Sequence, residues 1–329
     1  MEPTTHKSNI IFIGSGAIAT ALGNILAGDE DLNIYLLSIE QDVVEDINQN
    51  HINFRHFPAT QLHPFLKATT DVKMLKSADL IFLAIPSTAI VNYLKHNKDL
   101  IPAKTPIINL AKGFGNGFQL IPDCITEMIS NPIACMKGPS FAREIINRQP
   151  TAFTIAATDQ NIQDFLQEIF SGTTIHLDYS DDLHGVEYAS ILKNIYAIII
   201  GIVDANFDSP NLRSLVLSKA INEMRQLIKT FGGQEETIFK YCGFGDFSLT
   251  ALNDLSRNRT LGLLIGKGFF SQDISEKVVL EGRIAVQVFY EELEKRKLTS
   301  LNYPLMTELY KVFNSDYDIG KFVNNILND

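Results

Sequence analysis

Ile10-Ile11-Phe12-Ile13-Gly14-Ser15-Gly16-Ala17-Ile18-Ala19 is the stretch that decides the fold. Four apolar residues run without interruption into a glycine, and small residues follow. A continuous apolar run of this kind suits a strand buried on both faces rather than one half exposed to water. It then meets G-x-G-x-x-A, in which each fixed position has a steric role. Gly14 allows a tight turn, Gly16 lets a pyrophosphate approach the backbone, and Ala19 lets the next helix pack closely on the strand. The start of that helix offers unpaired N–H groups and a positive dipole end to an anion. The same string is compatible with a tight turn that binds nothing. Its place at the first strand–helix junction of an alternating chain is what favours a dinucleotide site.

Outward from this stretch, residues 33–37, 79–86, 106–110 and 133–136 repeat the apolar strand pattern, and Thr151–Ala156 and residues 174–177 extend it. Such strands alternating with amphipathic stretches predict an α/β domain whose parallel sheet is covered on both faces. The texture changes near residue 181. Helical periodicity marks residues 183–204, 211–231, 237–242, 275–295 and 305–313. A boundary at residues 179–182 predicts a dinucleotide-binding domain over 1–181 and a helical substrate domain over 182–329. No internal repeat or low-complexity tract interrupts either part.

Composition excludes several classes. A chain of 329 residues has room for two cores. With 45% apolar and 20% charged residues it reads as globular. A net charge of -10 argues against a nucleic-acid or anionic-membrane partner. Cys124, Cys135 and Cys242 are odd in number and far apart, so reduced thiols and no metal cluster are expected. No secretory apolar segment precedes the first strand, and the longest apolar run, residues 195–203, is short for a bilayer. The expected location is the cytoplasm.

Three further clusters suggest chemistry. Ser190, Lys193, Asn194, Ala197 and Gly201 share one helical face, while Ile191, Ile195, Ile198, Ile199 and Ile202 fill the others. A lysine on such a face is expected to be desolvated, which lowers its pKa and suits acid–base work; a lysine snorkelling from a half-buried helix is the plainer reading. Gly243-Phe244-Gly245-Asp246 reads as a constrained loop presenting a carboxylate. Ser256-Arg257-Asn258 supplies a hydroxyl, a guanidinium fork and an amide, a set suited to a phosphate monoester, or else an ordinary helix start with a surface arginine. Lys112, in Asn109-Leu110-Ala111-Lys112-Gly113, and the segment Lys137-Gly138-Pro139-Ser140-Phe141-Ala142 lie at strand C-termini, where open parallel sheets bind ligands.

Taken in order, G-x-G-x-x-A, N-L-A-K-G, G-P-S-F-A, L-K-N, G-x-G-D, S-R-N-R and a late V-L-E-G resemble the bacterial NAD(P)-dependent glycerol-3-phosphate dehydrogenases over nearly the whole length. The resemblance implies a Rossmann-type domain plus an all-helical domain, usually dimeric. It implies reversible hydride transfer between NAD(P)H and dihydroxyacetone phosphate, giving sn-glycerol 3-phosphate for glycerophospholipid synthesis. By that resemblance Lys193 is the general acid–base, and Lys112 and Asp246 position and polarise the reacting end. Gly138, Ser140, Ser256, Arg257 and Asn258 match substrate-contacting positions. Ser15, Ala17, Lys112, Ala142, Arg257, Val279 and Glu281 match cofactor-contacting positions, beside the loop glycines Gly14 and Gly16.

One departure bears on the cofactor. Many bacterial members carry a basic residue after the second strand, where this chain has Ser38-Ile39-Glu40. An acidic residue there suits the free 2′-hydroxyl of NAD, and an arginine suits the 2′-phosphate of NADP. Residues 35–50 contain no Lys or Arg but include Glu40, Asp42, Glu45 and Asp46, so NAD is the expected preference. Glu40 is the candidate ribose partner, or a solvated carboxylate in the next helix's first turn. Arg55 and His56 are the residues able to reverse the preference by folding over the adenosine. Two other functions are compatible with these residues: a hydroxy-acid dehydrogenase of the ketopantoate reductase type, and a catalytically silent nucleotide-binding sensor.

Overall fold

The apolar run of the opening stretch forms β1, Ser8–Ile13, with Ile10 through Ile13 all buried. Alternate residues point to opposite faces of a sheet. Ile10 and Phe12 accordingly join one apolar cluster, and Ile11 and Ile13 the other. Helices bury both faces, which is why the run has no polar alternation. The computed structural model describes residues 7–269, 280–298, 302–315 and 317–328. Internal contacts divide the chain into two units, Met1–Leu183 and His184–Asp329.

In the first unit, β2 (Leu32–Leu37), β3 (Leu66–Thr69), β4 (Leu80–Leu83), β5 (Ile107–Asn109), β6 (Ile133–Lys137), β7 (Thr151–Ala156) and β8 (Ile175–Ser180) join β1. Among the described residues they make one sheet of order β3-β2-β1-β4-β5-β6-β7-β8. α1 (Ala17–Leu26), α2 (Gln41–Asn50), α3 (Ser87–Asn97), α4 (Ile121–Thr126), α5 (Ala142–Ile146) and α6 (Gln160–Phe170) pass between the strands. Ile13 sits opposite Leu37 on one side and Leu83 on the other, so β1, β2 and β4 end together. The order reverses between β1 and β4, where an open parallel sheet leaves a crevice at its C-terminal edge.

The sheet departs from the sequence expectation in two places. β3 was not expected: Leu66-Lys67-Ala68-Thr69 is short and carries a lysine, as protected edge strands do. The Asn48 amide of α2 covers part of that edge, donating to the Ala68 carbonyl at 2.8 Å and accepting from its N–H at 2.9 Å. β7 runs antiparallel to β6, whereas a wholly parallel sheet was expected. A parallel crossover needs a dozen or more residues and usually a full helix. The connection of residues 138–150 is long enough, but its helix α5 has only five residues in place of the full helix such a crossover usually carries.

The second unit is helical. α7 (Leu183–Asn206) is buried from Gly185 through Val203 save for Asn194. Among the described residues α7 alone is long and apolar enough to cross a membrane, and it is almost wholly buried as a core helix. α8 (Pro210–Thr230), α9 (Asp246–Leu252), α10 (Arg257–Gly266), α11 (Leu280–Lys295), α12 (Pro304–Asn314) and α13 (Ile319–Asn328) accompany it. The helix expected over residues 237–242 is instead a 3-10 turn, Glu235–Phe239, followed by a π-helical turn, Tyr241–Gly245. A Cβ on Gly243 would lie 2.6 Å from the Ile238 carbonyl carbon, so this tight winding needs glycine. Residues 275–279 of the helix expected over 275–295 lie outside the described residues.

Gly201 of α7 does not serve a polar cleft. A Cβ added to it would come within 2.9 Å of Gly262 Cα in α10, and one on Gly262 equally close to Gly201 Cα. The small residues on that face of α7 are therefore in part the contact surface of two closely crossing helices.

Candidate active site

The turn after β1 has the geometry that its glycines suggest. Gly14 adopts φ +116°, and a Cβ there would lie 2.7 Å from the Ala84 carbonyl oxygen. An L side chain fits neither the conformation nor the space. Gly16 is the N-cap of α1, and a Cβ there would have no atom within 4 Å. The space over Gly16 is open to a ligand, so the turn fits a pyrophosphate. Ala17 opens α1, while the Ser15 hydroxyl contacts the Ser38 hydroxyl at 2.7 Å. That contact joins the end of β1 to the end of β2. The cleft here is lined by Gly14, Ser15, Ser38, Glu40, Ile85 and Thr88.

At the ends of β5 and β6, two lysines tie the two loops together. Lys112 Nζ donates to the Gly138 carbonyl at 3.2 Å, and the fully buried Lys137 Nζ donates to the Ala111 carbonyl. Each ammonium thus holds the peptide next to the other lysine. The Ser140 hydroxyl also donates to Gly138 O, at 2.9 Å. Gly138 has a packing role too, since a Cβ on it would lie 2.8 Å from Phe153 Cα in β7. Ala142 begins α5.

In the helical unit, Lys193 is 5% exposed and Asp246 1%. Lys193 Nζ donates to Asp246 Oδ1 at 2.6 Å and to Thr250 Oγ1 at 2.8 Å. The desolvation expected from the sequence is present, and a buried carboxylate lies in direct contact with the ammonium. The expected loop around Asp246 is instead the π-helical turn leading into α9, with Asp246 as its first residue. A π-helical turn is uncommon and frequent at functional sites. Asp246 and Thr250 are four apart on α9 and so share a face. The sequence carries no local sign of Thr250's role, because the glycines before Asp246 disguise that helix.

Ser256 is buried and caps α10, its Oγ accepting from Arg259 N–H at 3.2 Å. Arg257 is the exposed first residue of α10, and Asn258 is half-buried. Arg259 is differently engaged, with Nη2 on Asp204 at 2.9 Å and Nη1 on Asp254 at 2.5 Å. The V-L-E-G segment enters at α11. Val279 lies outside the described residues, and Glu281 is the second residue of the helix. A Cβ on Gly282 would lie 3.3 Å from Asn258 Oδ1, so this glycine lets α11 approach the α10 start.

Known proteins match this arrangement in order and extent. The model for the NAD-dependent glycerol-3-phosphate dehydrogenase N-terminus covers residues 9–163, and that for its C-terminus residues 182–324. Glycerol-3-phosphate dehydrogenase [NAD(P)+] of Leptospira biflexa is 35% identical over 82% of this chain and 83% of its own length. Its namesake from Clostridium botulinum is 33% identical over 93% and 92%. The crystal structure of glycerol-3-phosphate dehydrogenase from Coxiella burnetii superposes with a TM-score of 0.88 at 29% identity, covering 98% of this chain and 100% of that one. The chain belongs to the NAD-dependent glycerol-3-phosphate dehydrogenase family.

Proposed function

We propose that this chain interconverts dihydroxyacetone phosphate and sn-glycerol 3-phosphate with NAD(P)H, supplying glycerol phosphate for glycerophospholipid synthesis. The observation that carries the reading is the buried Lys193, held by Asp246 and Thr250 within a chain of the matched family. When bound, the nicotinamide dinucleotide supplies or accepts the hydride. Gly14, Ser15, Gly16 and Ala17 would hold its pyrophosphate, with Ala142, Val279 and Glu281 as further cofactor positions. Lys193 donates a proton to the oxygen developing at the reduced carbon, and takes it back in the reverse direction. Asp246 keeps the lysine aimed. Lys112 is the second cation of the reaction, its loop braced by the Gly138 carbonyl. Gly138, Ser140 and Ser256 are further substrate positions by the family resemblance. Arg257 and Asn258 bind the phosphate, Arg257 by a fork that matches two phosphate oxygens.

The acidic residues at the end of β2 support a preference for NADH. Glu40 is the proposed partner of the ribose hydroxyls. The family resemblance supports a cytoplasmic homodimer, which sedimentation of the purified protein would test. A hydroxy-acid substrate is not favoured, since both matched models are of glycerol-3-phosphate dehydrogenases. The deciding experiment is an assay with dihydroxyacetone phosphate and ketopantoate, each with NADH and NADPH. Turnover of the triose phosphate is expected. Turnover of ketopantoate alone would sink the reading.

A further inference from the structure

The chain leaves α2 at His51, which takes a left-handed φ of 54°, and folds back through residues 51–57. An isolated pairing of Asn53 with Phe57 closes this loop. Asn53 is fully buried, and its amide donates to the Ser15 carbonyl and to Thr20 Oγ1, each at 2.9 Å. The loop is thereby fastened to the phosphate-binding turn. Two residues on, the Arg55 side chain reaches the end of β2. Its Nη1 pairs with Glu40 Oε1, and its Nη2 pairs with Asp42 Oδ2 at 2.9 Å. His56, the next residue, lines the same cleft as Ser15, Ser38 and Glu40.

We propose that Arg55 is the specificity-determining residue that sets the balance between NADH and NADPH, a proposal that rests on reading this cleft as the dinucleotide site. The end of β2 is where folds of this type read the ribose 2′ position. Glu40 and Asp42 place two carboxylates there, and a 2′-phosphate would meet their repulsion. Arg55 is the counter-ion to both. Its side chain is 41% exposed, and an exposed ion pair is held only weakly. A guanidinium fork accepts a phosphate as readily as a carboxylate and bonds it bidentately. With NADPH, Arg55 exchanges a carboxylate for the 2′-phosphate. With NADH it stays on Glu40 and Asp42, and the Glu40 carboxylate is left to receive the ribose hydroxyl. The Asn53 anchor keeps the guanidinium at this end of the cleft in both cases.

The experiment is direct binding of NADH and of NADPH to the full chain at one ionic strength, read by the fluorescence of the reduced nicotinamide. Neither turnover nor substrate is involved. The proteins are the wild type, Arg55→Gln, and Glu40→Gln combined with Asp42→Asn. Losing a charge-assisted hydrogen bond to the phosphate should weaken NADPH by about tenfold or more in Arg55→Gln. NADH should stay within about twofold, because the exposed pair contributes little by itself. The double carboxylate variant should bind NADPH about tenfold more tightly and NADH no more tightly. Equal weakening of both cofactors in Arg55→Gln, or an unchanged NADPH affinity, would overturn the role of Arg55 alone. If the wild type binds neither dinucleotide, the reading of the cleft falls as well.

Discussion

Two ion-pair clusters in this molecule use the same chemistry in opposite surroundings. In the helical unit, the Lys193 and Asp246 side chains are 7% and 2% exposed. In the sheet unit, Arg55, Glu40 and Asp42 are 41%, 33% and 56% exposed. The buried pair has no water to replace a lost partner, so its members must stay together, and the lysine keeps a fixed position. The exposed set is partly solvated and can change partners at little cost. The Arg55 guanidinium holds the Asp42 carboxyl below the usual carboxylate range, chiefly through their hydrogen bond. The contrast teaches that burial, more than the identity of the charges, separates a cluster suited to proton transfer from one suited to selectivity.

The largest effect expected from breaking this contrast is on turnover. Lys193→Ala should lower kcat by roughly two to four orders of magnitude, the range for a general acid–base group, with NADH affinity little changed. A variant turning over at the wild-type rate would remove Lys193 from the mechanism. The same contrast should appear in stability. Asp246→Ala leaves a buried ammonium without its carboxylate and should cost roughly 3–5 kcal/mol in urea unfolding. Arg55→Gln should leave the melting temperature unchanged. Similar destabilisation by both would mean that burial does not divide the two clusters.

A further buried carboxyl sharpens the point. Glu223 of α8 is 5% exposed and accepts from Tyr196 OH at 2.7 Å, Leu305 N at 3.0 Å and Met306 N at 2.8 Å, so it closes the start of α12. Burial nonetheless outweighs these bonds and pushes its carboxyl up from 4.5 to about 7. The folded state therefore holds this proton more tightly than the unfolded chain. The associated stability is fully present below pH 4.5 and is lost as pH rises to about 7. At 1.36 kcal/mol per pH unit this amounts to about 3 kcal/mol. Glu223→Gln should lack that loss, so unfolding curves of variant and wild type should diverge between pH 5 and 7.5. Parallel pH profiles would show that Glu223 is ionised in the fold across the whole range. The smallest effect is expected at the exposed start of α10. Arg257→Lys keeps the charge but loses the fork and should reduce kcat/KM for dihydroxyacetone phosphate by about tenfold. An unphosphorylated analogue should respond equally little in both proteins. An equal loss on both substrates would place Arg257 away from the phosphate.

Local chemistry made much of this protein legible. The apolar run Ile10 through Ile13 suited a strand covered on both faces, and Gly14 and Gly16 announced a tight turn, in which Gly14 leaves no room for a larger residue. The polar face around Lys193 was visible because helical spacing is short-range. What escaped was either weak in apolar content or dependent on glycine. β3 is a four-residue edge strand with a lysine, and its pairing is set by β2 and Asn48 rather than by its own pattern. The helix of Asp246 and Thr250 was hidden behind two glycines that read as a loop. Gly201 read as one of the small residues on the polar face that carries Lys193, and only the crossing with Gly262 shows its packing role.

The sequence by itself determined the α/β-then-helix order, the phosphate-binding turn and the identity of the charged residues, because these follow from periodicity and from the steric limits of single residues. Tertiary structure decided which charges meet. Lys193 of α7 meets Asp246 of α9 across 53 positions of sequence. Residues 35–50 contain no cation, and on that ground the end of β2 reads as purely acidic. Arg55 arrives there from another loop, which Asn53 pins to Ser15 and Thr20 across 38 and 33 positions. Electrostatic fields depend on distance in space rather than along the chain. The charge at a binding site is therefore settled only when the loops around it have been placed.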